Sequence, residues 1–506
     1  MLREVKTENG WVKGLPAADP RITAFKGIPF AAPPIGENRW RAPQPCADWK
    51  GMREAYEFAP ISVQDTPGLG TDIYCREWHV DSKVPMSEDC LYLNVWTNAK
   101  NGKEKMPVLV WFFGGALQWG YTSEMEFDGE RIARRDVVVV TVNYRLNVFG
   151  FLAHPQLTKE QPEAPANFGN LDQQAGLKWV IRNIEAFGGD PDNITIAGQS
   201  AGGGSVLSQM ASPQNKGLFQ KAVVMSAMIR SPYGGENILI PRTLEEAETH
   251  GERFIKFLGV ESIEEARKWD AFEILKKYNE YVQENGRMFS IVDGQFSVGD
   301  PLQLLARNES IDVPVMAGNT ADEFPASIYA ETEAEFRSKV YELFGEKAEQ
   351  FLACEEVKSK HGDAEYARIS GIEHTVKAVF EERQKRGNSQ KDYYYRFMPD
   401  IPGKDNPGTF HSVDLWFFFE TLAKCSRPYV GRHYDLSRQM CNYLCNFVKS
   451  GDPNGVDADG ETLPVWEPYQ IEMPYEMCFS ADGAKGRSCI ESEFTKIIKE
   501  HLKGSL

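Results

Sequence analysis

Apolar residues in this chain gather into short continuous runs instead of alternating with polar ones. Residues 108–112, 137–142, 194–197, 222–225, 313–317 and 393–397 each have the pattern of a strand covered on both faces. Between them lie segments of helical periodicity, clearest over 173–187 and 436–449. Strands alternating with helices predict an α/β fold with a mostly parallel central sheet flanked by helices. In such a sheet the working loops lie at the carboxyl ends of the strands. Two stretches, 231–300 and 326–385, are more charged and helix-like, and are expected to form helical cap or lid regions over that end. No internal repeat or low-complexity linker interrupts the pattern, so residues 1–506 are expected to fold as a single domain with these insertions.

Composition narrows the function more than the fold. Of 506 residues, 42% are hydrophobic and 12% aromatic, ample for a large core. The formal net charge of −17 is spread along the chain, which argues against nucleic-acid or anionic-membrane partners. The most apolar segments, such as 107–117 and 137–142, are far shorter than a membrane span. The first eight residues are charged and carry no apolar signal core, so a cytoplasmic location is expected. Nine cysteines without a C-x-x-C pair fit reduced, packed thiols. Eight histidines show no metal-binding spacing, so neither metal nor cofactor is expected.

The chemistry centres on Gly198-Gln199-Ser200-Ala201-Gly202, which follows the strand-like run 194–197 and precedes a helix-like run of small residues. A serine on a strand-to-helix turn is held up and exposed, with unpaired helix N–H groups behind it. Its hydroxyl needs a base, and the base needs an orienting acid, in the chain order serine, acid, histidine. Asp322 and Glu323 follow the strand at 313–317, and adjacency alone does not choose between them. His411 lies on a Pro/Gly-rich loop after the strand at 393–397, whereas His374 and His433 fall in helical patterns. The oxyanion of a tetrahedral intermediate needs fixed donors. The Ala201 N–H is one, and the loop 111–117, with Gly114 and Gly115, is the expected source of others.

The chain resembles the type-B carboxylesterase family of α/β-hydrolases. The resemblance rests on the stretches 25–34, 87–95, 142–146, 167–174 and 188–191, all in order before the serine turn. It implies an α/β-hydrolase fold and a serine carboxylesterase acting on soluble esters through an acyl-enzyme. Ser200 would be the nucleophile, Glu323 the triad acid and His411 the base. Gly115, Ala116 and Ala201 would give the oxyanion hole. Arg39 with Glu88, and Arg145 with Asp172, match structural ion pairs, and Ser226 matches a serine behind the triad. Three positions depart from the family pattern. Phe113 replaces a His or Tyr, removing a polar anchor of the oxyanion loop, and Ala116 replaces a frequent glycine. Gln199 stands where cholinesterase-like relatives carry Glu, which disfavours cationic choline esters. Cys75 and Cys90 are closer in sequence than the family's usual disulfide, so no bond is assumed. The competing readings are a non-catalytic binding or adhesion homologue, which tends to lose the nucleophile, and a lipase or amidase. Trp119 and the aromatic run 416–419 are candidates for either an apolar substrate pocket or the core.

Overall fold

A computed structural model describes residues 1–234, 240–358, 360–361, 364–457, 459–488 and 490–506, with 360 and 361 described by backbone alone. Residues 235–239 of the first predicted cap stretch, and 359 and 362–363 of the second, lie outside the described residues.

The centre is an eleven-stranded sheet. Its strands in chain order are β1 (Leu15–Pro16), β2 (Thr23–Pro29), β3 (Tyr92–Thr97), β4 (Met106–Phe112), β5 (Val138–Val142) and β6 (Gly189–Gln199). They continue with β7 (Lys221–Met225), β8 (Val315–Thr320), β9 (Asp392–Met398), β10 (Tyr475–Ser480) and β11 (Gly483–Ser488). The spatial order is β11-β10-β9-β8-β7-β6-β4-β5-β3-β2-β1. From β5 to β10 every neighbouring pair is parallel, and antiparallel pairs flank this block at both edges. All six predicted strands are present. β8 starts later than the apolar run suggests, because Pro314 has no N–H to give the ladder.

Side chains alternate between two apolar layers. Trp111, Val139, Val223, Met316 and Tyr395 face one, and Val108, Val140, Ile196, Val224 and Tyr394 face the other. Helices α1 (Phe168–Asn183), α2 (Ala201–Ala211), α3 (Glu373–Lys385) and α5 (Glu493–Lys503) bury apolar residues in the second layer. Helix α4 (Gly431–Ser450) covers the first and stops at Gly451, whose φ of 77° suits only glycine well. The structure thus has a large, mostly parallel sheet between helices.

The stretch 231–300 carries helices Leu244–Phe257 and Ala271–Asn285. The stretch 326–385 differs from a purely helical region. It holds most of a three-stranded antiparallel sheet (Pro325–Tyr329, Glu365–Ser370, Lys360–His361), and its last helix, α3, packs on the main sheet. Trp416 and Phe417–Phe419 are fully buried in the core, where Trp416 stacks on Trp78 and Phe419 meets Trp111 edge-on. They form core and not pocket wall. No helix among the described residues is long and apolar enough to cross a membrane.

Candidate active site

Ser200 sits between β6 and α2 with φ 56° and ψ −127°, a backbone strain tolerated only under tight packing. The flanking glycines show why the turn is glycine-rich. A Cβ on Gly198 would meet the Gly202 carbonyl oxygen at 2.3 Å, and one on Gly202 would meet the Phe112 carbonyl at 2.1 Å. The backbone is further tied by Ser200 N donating to the Met225 carbonyl of β7 at 2.9 Å.

Glu323 follows β8 with its side chain fully buried. Its Oε2 accepts a hydrogen bond from His411 Nδ1, and its Oε1 accepts from Ser226 Oγ and from the Thr320 backbone N–H, each at 2.7 Å. Asp322 turns the other way. Its Oδ2 accepts from both the backbone N–H and the hydroxyl of Thr409 at 2.8 Å, anchoring the loop that carries His411. The Phe324 ring meets the imidazole edge-on at 4.5 Å. With Nδ1 donating to Glu323, Nε2 is the accepting nitrogen, and the Gln199 side-chain amide lies 3.2 Å from it. No hydrogen bond joins Ser200 to His411 among the described residues. In an unliganded site such a bond commonly forms only with the substrate in place.

The loop after β4 approaches the serine closely. A Cβ on Gly114 would lie 2.8 Å from the Gln199 carbonyl oxygen and 3.2 Å from Ser200 Cβ. Gly115 has φ 104°, and a Cβ there would meet the Trp119 carbonyl oxygen at 2.2 Å. Ala116 follows in the left-handed region with φ 54°. Phe113 does not leave this loop unanchored. Its ring stacks on Tyr144 at 4.3 Å, and the Tyr144 hydroxyl donates to the Phe113 carbonyl at 2.6 Å. The anchor is polar after all, through the backbone.

Ser200, Ala116, Ala201 and Phe324 open onto a cavity of about 1280 Å³. Its walls also come from both stretches between the strands, through residues such as Arg242, Met288, Ile328 and Leu343. Trp119 and the aromatic run 416–419 are not among its lining residues. Arg39 pairs with Glu88, its Nη2 2.6 Å from Oε2, and Arg145 pairs with Asp172 at 2.7 Å, all four away from the cavity walls. The eight described cysteines, Cys75 and Cys90 included, are free thiols. Among the described residues no group of three or more His, Cys, Asp or Glu is placed to hold a metal ion.

Asp414 is a buried carboxyl close to the His411 loop that sequence reasoning missed. It is fully buried and accepts from the Tyr395 hydroxyl at 2.9 Å. Burial, reinforced by the nearby Glu323 charge, pushes its carboxyl up to about 7. The signal available was its place three residues after His411, beside an aromatic run that had to be buried.

Residues 2–488 match the carboxylesterase family. The chain is 32% identical over 440 residues to a fumonisin B1 esterase of Sphingopyxis macrogoltabida, covering 83% of this chain and 75% of that protein. It is 31% identical over 473 residues to a para-nitrobenzyl esterase of Bacillus subtilis (strain 168), covering 89% and 90%. A solved PNB esterase structure superposes with a TM-score of 0.77 at 27% identity, over 98% of this chain and 99% of the other. These α/β-hydrolase relatives and the sheet described above agree, and the chain belongs to the carboxylesterase family.

Proposed function

We propose that this carboxylic ester hydrolase works through an acyl-enzyme formed on Ser200, with His411 as the base and Glu323 as its orienting acid. The observation that carries the reading is the hydrogen bond of His411 to the buried Glu323, with a strained serine at the head of a helix next to the Gln199 that meets the imidazole. The Ser200 hydroxyl attacks the ester carbonyl while His411 Nε2 takes its proton. The C–O bond to the alcohol then breaks, and the alcohol leaves with that proton. Water, deprotonated by the same nitrogen, attacks the acyl-enzyme and returns serine and the free acid. Before the first step the Gln199 amide must yield the Nε2 lone pair to the serine. The Gly115, Ala116 and Ala201 N–H groups are the proposed donors to the tetrahedral oxyanion, which the Gly114 contacts support by bringing that loop against the serine.

The substrate class is small-molecule esters, and we read the two stretches at 231–300 and 326–385 as a cap within one domain, because both contribute cavity wall. The apolar lining from Leu117, Phe151, Leu207 and Met288 suits the carbon chains of such esters. Ser200→Ala is expected to lower kcat on a p-nitrophenyl ester by on the order of 10⁴-fold or more. A fluorophosphonate probe should label the native protein at Ser200, as read by mass mapping, and leave the variant unlabelled. Labelling elsewhere with retained turnover would remove the assignment.

A further inference from the structure

The cavity carries charge that ester hydrolysis does not use. Arg242 and Arg287 both line it, and among the described residues neither pairs with a carboxylate. Arg242 Nη1 lies 2.6 Å from His250 Nδ1. A guanidinium can only donate, so Nδ1 is the acceptor and the imidazole is neutral. Burial and the charges of Arg242 and Arg253 push His250 down to about 4, so it accepts from Arg242 as a neutral ring and leaves the guanidinium charge in place. His250 is in turn fixed by stacking on Tyr281 at 5.4 Å and by the Tyr281 hydroxyl, which donates to its carbonyl at 3.1 Å.

Arg287 lies over the Trp119 ring at 4.8 Å. The next residue, Met288, is tied to the loop that approaches the serine. Gln118 Nε2 donates to its carbonyl at 2.9 Å, and its N–H donates to Tyr278, whose hydroxyl reaches Gln118 Oε1 at 3.0 Å. Arg242 Nη2 comes within 3.9 Å of where a Cβ on Gly286 would stand, so the two guanidinium-bearing segments are neighbours. Of the other charges on the cavity, Arg230 pairs with Asp300 and Lys339 with Glu335, while Glu342 is exposed one turn further along the helix of Lys339. Among the described residues neither arginine has an ion-pair partner, Glu246 acting on Arg242 only at longer range and Asp65 bonding the indole N–H of Trp119, so the two guanidinium groups on the cavity can take an anion.

We propose that the cavity takes esters bearing a second, ionised carboxylate, which Arg242 and Arg287 bind while the scissile ester lies at Ser200. The inference rests on the Ser200 reading and adds to it the charge of the substrate. Its test compares monomethyl with dimethyl esters of straight-chain dicarboxylic acids, from succinate to sebacate, with hydrolysis followed by pH-stat. The native protein should prefer the monoanion at one or more chain lengths, and that preference should weaken as salt rises from 0.05 to 0.5 M, roughly a threefold shortening of the screening length. In Arg242→Gln/Arg287→Gln the monoanion-to-diester ratio of kcat/KM should fall about ten-fold, and in Arg242→Glu/Arg287→Glu further still. Fluorophosphonate labelling of each variant reports an intact site, and the salt series needs no variant. A ratio unchanged by the substitutions, or diesters preferred by the native protein at every length, overturns the proposal. Failure of the Ser200 reading has a different signature: neither ester is hydrolysed and the probe does not label.

Discussion

Adjacent carboxylates at the end of one strand are indistinguishable in sequence but not in space. Glu323 takes the imidazole and two further donors, while Asp322 takes both donors of Thr409 and so holds the loop on which His411 rides. Glu323→Gln should therefore cut kcat/KM by on the order of 10⁴-fold, since the amide misorients the base and cannot stabilise the imidazolium. Asp322→Asn should cost loop stability of about 1–3 kcal/mol through its weakened Thr409 bonds, with a much smaller kinetic loss. Steady-state kinetics on the two variants, with thermal unfolding alongside, checks the order, and a larger kinetic loss in Asp322→Asn would reassign the acid. At this scale the serine turn was legible because its requirement is local: two glycines must stand where any Cβ would strike backbone. The pairing of the buried Asp414 with Tyr395 was not legible, because it joins side chains whose meeting depends on how separate segments pack.

At the scale of elements, the interior strands declared themselves and the outer ones did not. Strands covered on both faces must be apolar throughout, as Val138–Val142 is. β2 carries Gly27 and Pro29, and β3 carries Asn94, which break the apolar run. They are strands because tertiary contacts repair these breaks. The Asn94 side chain accepts from Gly27 N at 2.9 Å and donates to Thr122 and Thr141. β11, with Gly483 and Gly486, is an edge strand with no pattern to read. The loop after β4 gives the prediction belonging here. At Gly115 a side chain would need both a φ of 104° and room already held by the Trp119 carbonyl. Gly115→Ala should therefore move the proposed oxyanion donors and lower kcat by about 10²–10³-fold. Phosphonylation of Ser200 should slow in parallel, because that reaction also places negative charge on an oxygen in the same pocket. Normal phosphonylation with impaired ester turnover would separate the loop from oxyanion binding.

For the whole molecule, the pH dependence of stability follows from two opposed sets of buried carboxyls. Burial pushes the Glu381 and Glu476 carboxyls up, but hydrogen bonds and charges from Lys499 and Lys503 at the first, and from Lys377 and Arg487 at the second, outweigh it and hold both below their ordinary range. Such groups stabilise the fold above the unfolded carboxylate pKa, and their contribution is lost as pH falls through their folded values. Asp414 and Asp392 act in the other sense. Burial, joined at Asp414 by the Glu323 charge and opposed at Asp392 by Arg383, pushes their carboxyls up to about 7 and about 6. From pH about 4 up to about 6 at Asp392 and about 7 at Asp414, the unfolded chain has lost the proton that the folded protein still holds, so stability falls as pH rises through these windows. These two carboxyls therefore take stability away between mildly acidic pH and pH 8, while His154, His250, His374 and His501, all lowered chiefly by burial, act in the opposite sense. Asp414→Asn keeps the hydrogen-bonding shape of the neutral acid and removes its ionisation. The unfolding temperature should accordingly fall less, or rise more, from pH 5.5 to pH 8 in this variant than in the native protein. Thermal unfolding monitored at both pH values checks this. An equal change would mean that Asp414 ionises near its ordinary range, with the Tyr395 hydroxyl and its surroundings solvating the charge instead of excluding it.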